Sequence, residues 1–204
     1  MVIPRRLITG TAMGALLALG PSLAAHAQQR TTPSVSFFHG GSGSASWARV
    51  DAAGDNDGFS IKLDVPNPSS YAGIRLDHQA GTSAPATAPS FDFMSTVSGP
   101  SEGSPRLVIV FSDRGNIQLR PLAWVANTWT HENGNSKDWD NNGGTCGFLY
   151  EQTYSIVVAC HPGATVTDAF IVSDELHYPN GFIHYIDNID YNGTKITKPG
   201  DNAN

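Results

Sequence analysis

From Ser136 to Gly143 the chain reads Ser-Lys-Asp-Trp-Asp-Asn-Asn-Gly, carboxylates and amides set around one tryptophan. Asp138, Asp140 and Asn142 followed by Gly143 spell D-x-D-x-N-G. Oxygen ligands at alternate positions with a glycine to turn on suit a hard cation, Ca2+ above all. The Glu that closes an EF-hand loop is absent, its position being Leu149. Asp55-Asn56-Asp57-Gly58 is a second acidic turn, and Asp, Asn and Gly also build turns that hold no metal. Trp139 suggests a different chemistry. A sugar ring has an apolar C–H face and a rim of hydroxyls, so holding it in water calls for a flat aromatic ring beneath and Asp, Asn, Gln or Arg at the rim. In so polar a segment Trp139 is the expected stacking platform, with Asp138, Asp140 and Asn142 as polar or metal contacts. Tyr178, in the turn His177-Tyr178-Pro179-Asn180-Gly181, is a second candidate ring. The competing reading folds Trp139 back over the edge of the core as a lid.

Catalytic motifs are thinner. Gly99-Pro100-Ser101-Glu102-Gly103 matches G-x-S-x-G, but a nucleophile elbow needs a supporting helix, and here Ser104-Pro105 leads into an apolar strand. A Gly/Pro loop accounts for the letters. Asp187 and Asp190 invite a glycosidase reading, yet side chains three apart on a regular strand point to opposite faces and cannot flank one bond. Asp174 and Glu175, being adjacent, fail likewise. The histidines beyond the N-terminal leader show no zinc-like spacing, and His184 reads as a structural residue. Cys146 and Cys160 are the only cysteines. In an oxidising compartment they are expected to join, closing a loop worth about 3 kcal/mol on the chain-entropy model. Two buried thiols, or a nucleophile beside His161, are the alternatives.

The elements that must position these residues are short and extended. Phe59, Ile61, Leu63 and Val65 alternate with Ser60, Lys62 and Asp64, the period-two signature of a half-buried strand. Tyr71 to Leu76 and the run beginning Phe91-Asp92-Phe93 are further strands. Leu107-Val108-Ile109-Val110-Phe111 is apolar on both faces and predicts a central strand covered on each side. Ile117 and Leu119, then Trp124 to Trp129 after Pro121, continue the pattern, and Phe170 to Val172 and Phe182 to Tyr191 close it. Tyr150 to Cys160 reads either as a strand through Ile156-Val157-Val158 or as a short helix, which Pro162-Gly163 favours as a stop. Two long polar loops are expected, Gln79 to Ser90 and Asn133 to Thr145. Many short strands between Gly, Pro, Asn and Asp clusters indicate an all-β sandwich or barrel with at most one short helix.

Residues 1–27 read as a signal peptide: Arg5-Arg6, an apolar stretch from Leu7 to Leu19, Pro21, and Ala25-His26-Ala27 as an A-x-A cleavage site. The stretch is interrupted by Thr9, Gly10 and Thr11 and is too short for a permanent span. A secreted, extracellular protein without a membrane anchor is expected, with residues 28–204 as a single domain. The chain has 204 residues, only 15% charged, and a net charge of −6. That balance, with no basic run, argues against nucleic acid as a partner.

Three stretches resemble exported jelly-roll modules of the carbohydrate-binding, galactose-binding-like type. Phe37-Phe38-His39-Gly40-Gly41 precedes Trp47 and Gly58 to Leu63. Phe91-Asp92-Phe93 is followed by the central apolar strand ending in Ser112-Asp113. The last strand, Tyr185-Ile186-Asp187-Asn188-Ile189, is similar to the closing strand of such modules. The segment Tyr154 to Val166, with His161-Pro162-Gly163, is similar to exported bacterial proteins of unknown function. The resemblance implies a jelly-roll β-sandwich and a structural calcium held by the last-strand aspartate, here Asp187, although the usual acidic partner after the first Phe is His39. Taken together, the expected function is a secreted noncatalytic module binding a glycan, with a polysaccharide or extracellular surface component as partner. The alternatives are a surface-associated protein-interaction domain, or a glycoside or ester hydrolase whose site the sequence does not reveal.

Overall fold

The computed structural model describes residues 35–50, 57–99, 104–174 and 178–199, all within the unit spanning Thr31–Asn204. A seven-stranded sheet runs β1 (Val35–Gly40), β4 (Tyr71–Leu76), β11 (Val166–Ser173), β6 (Arg106–Phe111), β7 (Asn116–Leu119), β9 (Trp139–Gly143) and β10 (Gly147–Gln152). The second sheet runs β2 (Ser44–Ala48), β3 (Ser60–Val65), β12 (Phe182–Tyr191), β5 (Ser90–Ser95) and β8 (Thr130–Glu132), with β13 (Thr194–Ile196) folded back on β12. Neighbouring strands are antiparallel throughout, and α1 (Tyr154–Ala159) is the one helix among the described residues. The molecule is a jelly-roll β-sandwich.

Alternation, broken by a bulge in β12, fills the space between the sheets. Ile61, Leu63 and Val65 of β3, Phe91 and Phe93 of β5, and Ile186 and Ile189 of β12 meet Ile74 and Leu76 of β4, Leu107, Ile109 and Phe111 of β6, and Ile117 and Leu119 of β7 in one buried cluster. Removing such side chains from water is the main force on this fold, about 1.5–3 kcal/mol for each full burial. β6 lies fourth of the seven strands; its outward Val108 is buried as well, while Val110 on the same face is only partly covered, so the strand is central but not covered on both sides.

Three expectations are corrected. Trp124 to Trp129 forms no strand, only an isolated bridge from Trp124 to Gly99, because the indole turns inward, where its Nε1 donates to the Val97 carbonyl. The polar segment 133–145 is not all loop, since it contains β9. The Asp187–Asp190 stretch is not a regular strand: the pairing of β12 with β5 shifts register there, with Asn188 at φ +47°. Asp187 opposes Asp92 and Asp190 opposes Ser90, so the bulge breaks the regular alternation between them, with Asp187 buried and Asp190 partly exposed. The Tyr150 to Cys160 segment divides, its first residues completing β10 and Tyr154–Ala159 forming the helix. Asn192-Gly193 adopts positive φ at both residues and turns β12 into β13, the geometry of a two-residue hairpin. The leader, Pro100 to Gly103 of the G-x-S-x-G letters, Glu175, His177 and the last five residues lie outside the described residues. No helix among the described residues is long and apolar enough to cross a membrane.

Cys146, in the β9–β10 turn, is joined to Cys160, just past α1, with Cα atoms 5.3 Å apart and a sequence separation of 14. The bond ties the outermost hairpin of the seven-stranded sheet to the helix. Replacing either cysteine by serine under non-reducing conditions is expected to lower unfolding stability by about 3 kcal/mol, the loop-closure value. Urea unfolding of Cys160→Ser checks this, and a loss well under ~1 kcal/mol would mean that residual structure already restricts this loop in the unfolded chain.

Candidate functional site

β9 divides its residues between two surroundings. Trp139 and Asn141 face the interior; Asp140 and Asn142 face out. Trp139 is therefore not the platform its sequence context suggests. It is 0% exposed, its ring is tilted against Tyr154 at 4.9 Å, and its Nε1 donates to the Gly134 carbonyl at 2.7 Å. The surrounding polarity belongs to the other face of the strand. Tyr178 is half-buried, donating its hydroxyl to the Ser98 carbonyl and packing edge-on against Phe182, so it is occupied in closing the end of the sandwich.

The outer face of the seven-stranded sheet provides a different pair of rings. On β10, Phe148 is 70% and Tyr150 64% exposed. Standing two residues apart on a strand, they share one face with their backbones about 7 Å apart. Phe148 lies opposite Asn142, Asn142 opposite Asn116 of β7, and Asn116 opposite Val110. One row along, Asp140 neighbours Gln118. Arg120 donates from Nε to Asp140 Oδ2, and the Glu151 amide donates to Oδ1. The surface is two bare rings edged by amides and an Arg–Asp pair. The alternation Gly147-Phe148-Leu149-Tyr150 was the available signal for it, hidden by a following run that also suits a helix.

At the far end of the same face Phe38, Tyr71 and Phe170 pack on one another edge-on or tilted, 5.9–6.3 Å between centroids, and Arg75 pairs with Asp168. The adjoining hollow, lined by Arg75, Asp77, His78, Gln79, Thr167 and Asp168, has a volume of about 270 Å³, below the ~300–1,000 Å³ of ordinary ligand pockets.

The expected calcium ligands do not converge. Asp140 is held by Arg120, whose guanidinium would repel a cation. Asp138 turns to Glu132, and Asn142 faces out beside Phe148. Asp187 lies in the other sheet, accepting the Asn188 amide, and His39 is exposed in β1. These residues do not fit a single site for the ion. Nor do Asp187 and Asp190 form an acid–base pair: the Asp190 carboxylate accepts the Gly193 amide and caps the turn. Burial pushes His184 down to about 3. It is a neutral core residue sharing a hydrogen bond with Ser173.

What holds the β9–β10 hairpin in place is a polar cluster that the sequence left unassigned. His161 Nδ1 lies 2.8 Å from Asp113 Oδ2, in the β6–β7 turn, and Nε2 lies 2.8 Å from Asn141 Oδ1. The Asn141 amide nitrogen donates to the carbonyls of Gly143 and Gly147, which orients its oxygen toward the ring. Both ring nitrogens thus lie within hydrogen-bonding distance of side-chain oxygens, one from the β6–β7 turn and one from β9. Phe111 stacks on the ring at 4.3 Å. Gly115 leaves the needed space, since a Cβ there would stand 2.3 Å from His161 Cε1.

An all-antiparallel jelly-roll sandwich with a polar, aromatic-edged outer sheet is the class that fold and surface define. Compared with protein-family models and with curated proteins, the sequence matches none. Among solved structures it is similar to a family 11 carbohydrate-binding module from Clostridium thermocellum in complex with a beta-1,3-1,4-mixed-linked tetrasaccharide, at 13% identity and TM-score 0.45 over 76% of this chain and 86% of that one. A C-terminal family 22 carbohydrate-binding module of Clostridium thermocellum is similar at 14% identity and TM-score 0.38, over 78% and 87% of the two chains. The enzymatically active domain of tailspike protein 4 of bacteriophage CBA120 is similar at 14% identity and TM-score 0.42, over 81% of this chain and 20% of that one. None of these likenesses assigns a role to a residue of this chain.

Burial pushes the Asp113 carboxyl up, but the hydrogen bond from His161, the Gly115 amide and the charge of His161 together outweigh it and hold it below the ordinary carboxylate value. A depressed acid stabilises the fold fully above its unfolded value near ~4, and that contribution is lost as pH falls through the folded value. Asp113→Asn is therefore expected to melt lower than the parent at pH 6–7, with the difference closing below about pH 4. Thermal unfolding across pH checks this; a gap that stays constant from pH 7 to 3 would remove the charge from the explanation.

Proposed function

We propose that this chain is an exported, noncatalytic binding module that takes a glycan on the β7–β9–β10 end of its outer sheet face. One observation carries the reading: Phe148 and Tyr150 stand bare and side by side on a strand whose neighbours are Asn142, Asn116, Gln118 and the Arg120–Asp140 pair. Large rings left in water mark interaction surfaces. Flat rings flanked by amide donors and acceptors match the two chemically distinct parts of a sugar, C–H face and hydroxyl rim. Asp140 and Asp168, two carboxylates of this outer face, are each tied to an arginine, which suits binding better than proton transfer. The signal-like leader supports an extracellular setting, where a polysaccharide or another surface component would be met.

A second reading has a specific basis. β10 is an edge strand, and an exposed strand carrying two aromatic side chains also suits an extended segment of another extracellular protein.

On a glycan array and on insoluble polysaccharides the folded chain is expected to be retained. Phe148→Ala combined with Tyr150→Ala should weaken retention roughly tenfold or more, taking ~0.5–1.5 kcal/mol per ring. Tyr71→Ala, whose ring packs on Phe38 at the far end, should leave it unchanged. Failure of the folded parent to bind any glycan, with capture of a defined extracellular protein instead, would favour the edge-strand reading. Binding that survives the double substitution would exclude this face.

A further inference from the structure

Glu132 ends β8 and Asp138 immediately precedes β9, and the residues between them make a tight loop. The Ser136 amide donates to the Asn133 carbonyl at 2.9 Å and the Asn135 amide to Asn133 Oδ1 at 3.0 Å. Gly134 sits so close to Pro89 that a Cβ would stand 1.8 Å from the Pro89 carbonyl oxygen. Because Glu132 lies opposite Phe91, whose ring faces the core, it points inward and is only 5% exposed. There burial first, then the charge and hydrogen bonding of the neighbouring Asp138, push its carboxyl up to about 8. Among the described residues no basic side chain pairs with either group. Glu132 Oε1 is buried without a partner, and so is the Ser136 Oγ of the same loop. Two acids drawn together, one with an oxygen left unpartnered, must share a proton at neutral pH or take a cation in its place.

We propose that Glu132, Ser136 and Asp138 form a calcium site. The donors are all oxygen, with no nitrogen or sulfur, which selects a hard ion. Ca2+ accepts six to eight oxygens in loose geometry, so two carboxylates and a hydroxyl from a seven-residue stretch, completed by water, suit it better than the strict octahedron of Mg2+. The site differs from the D-x-D-x-N pattern: it keeps Asp138, drops Asp140 and Asn142, and recruits Glu132 and Ser136. Its position also gives it a structural task. β8 belongs to one sheet and β9 to the other, so the ion fastens the two layers where Trp139 enters the core. The inference does not depend on the glycan reading.

Terbium luminescence tests it on the full chain. Trp139, whose indole donates to Gly134 in this loop, is well placed to sensitise Tb3+ bound at Glu132 and Asp138. Excitation of tryptophan should give saturable Tb3+ emission that Ca2+ displaces. Glu132→Gln and Asp138→Asn, both close to isosteric, should each weaken Tb3+ binding at least tenfold, while Asp187→Asn leaves it unchanged. As a second readout, Ca2+ should raise the melting temperature of the parent and not that of Glu132→Gln, with near-UV circular dichroism reporting that each variant is folded. Absence of sensitised emission from the parent, or emission lost in Asp187→Asn and kept in Glu132→Gln, would overturn the proposal.

Discussion

The geometry of the outer face rests on an imidazole ring held between two oxygens. His161 bonds the β6–β7 turn through Asp113 and the interior side of β9 through Asn141, while its neighbour Cys160 is tied covalently to the β9–β10 turn. Thr145 adds two hydrogen bonds from the same turn to the Cys160 carbonyl. A hairpin at the border of a sheet has a strand on one side only, and here the missing support is replaced by charge, sulfur and an aromatic stack. Without it, Phe148 and Tyr150 would ride on a loosely held ribbon.

Where hydrophobic alternation is strong, letters and structure coincide. β4 and β12 have the boundaries read from Tyr71 to Leu76 and from Phe182 to Tyr191, and β6 is a central strand, as its apolar run implies, although its outer face is only partly covered. The pairing of the two cysteines was legible too, because compartment and count leave few choices. What periodicity missed are strands whose inward residues are few or polar. β9 buries one indole and one asparagine, and its remaining letters resemble a turn. Asn141 is inside because His161 and two carbonyls satisfy it, a partnership between residues twenty apart that no local window contains.

The same reason explains the exchange of one candidate ring for two others. Trp139 was placed outside because its neighbours are charged, but neighbours on a strand report the opposite face. Asp140 and Asn142 lie on the outward side of β9, and the exposed rings are one strand over, at Phe148 and Tyr150. The bulge at Asp187 is a similar case. One extra residue changes which side chains share a face, and nothing in Tyr-Ile-Asp-Asn-Ile marks it except an asparagine able to adopt positive φ.

A bulge on β10 has an effect of its own. Register slips between Leu149 and Gln152, and Glu151 takes a left-handed conformation, its amide turned to the Asp140 side chain. Border strands with bare rings are natural templates for stacking one molecule on the next, and a kink with a carboxylate at its apex interrupts the ladder that such growth needs. The bulge thereby interrupts the row of backbone groups along which a second copy would have to extend the sheet.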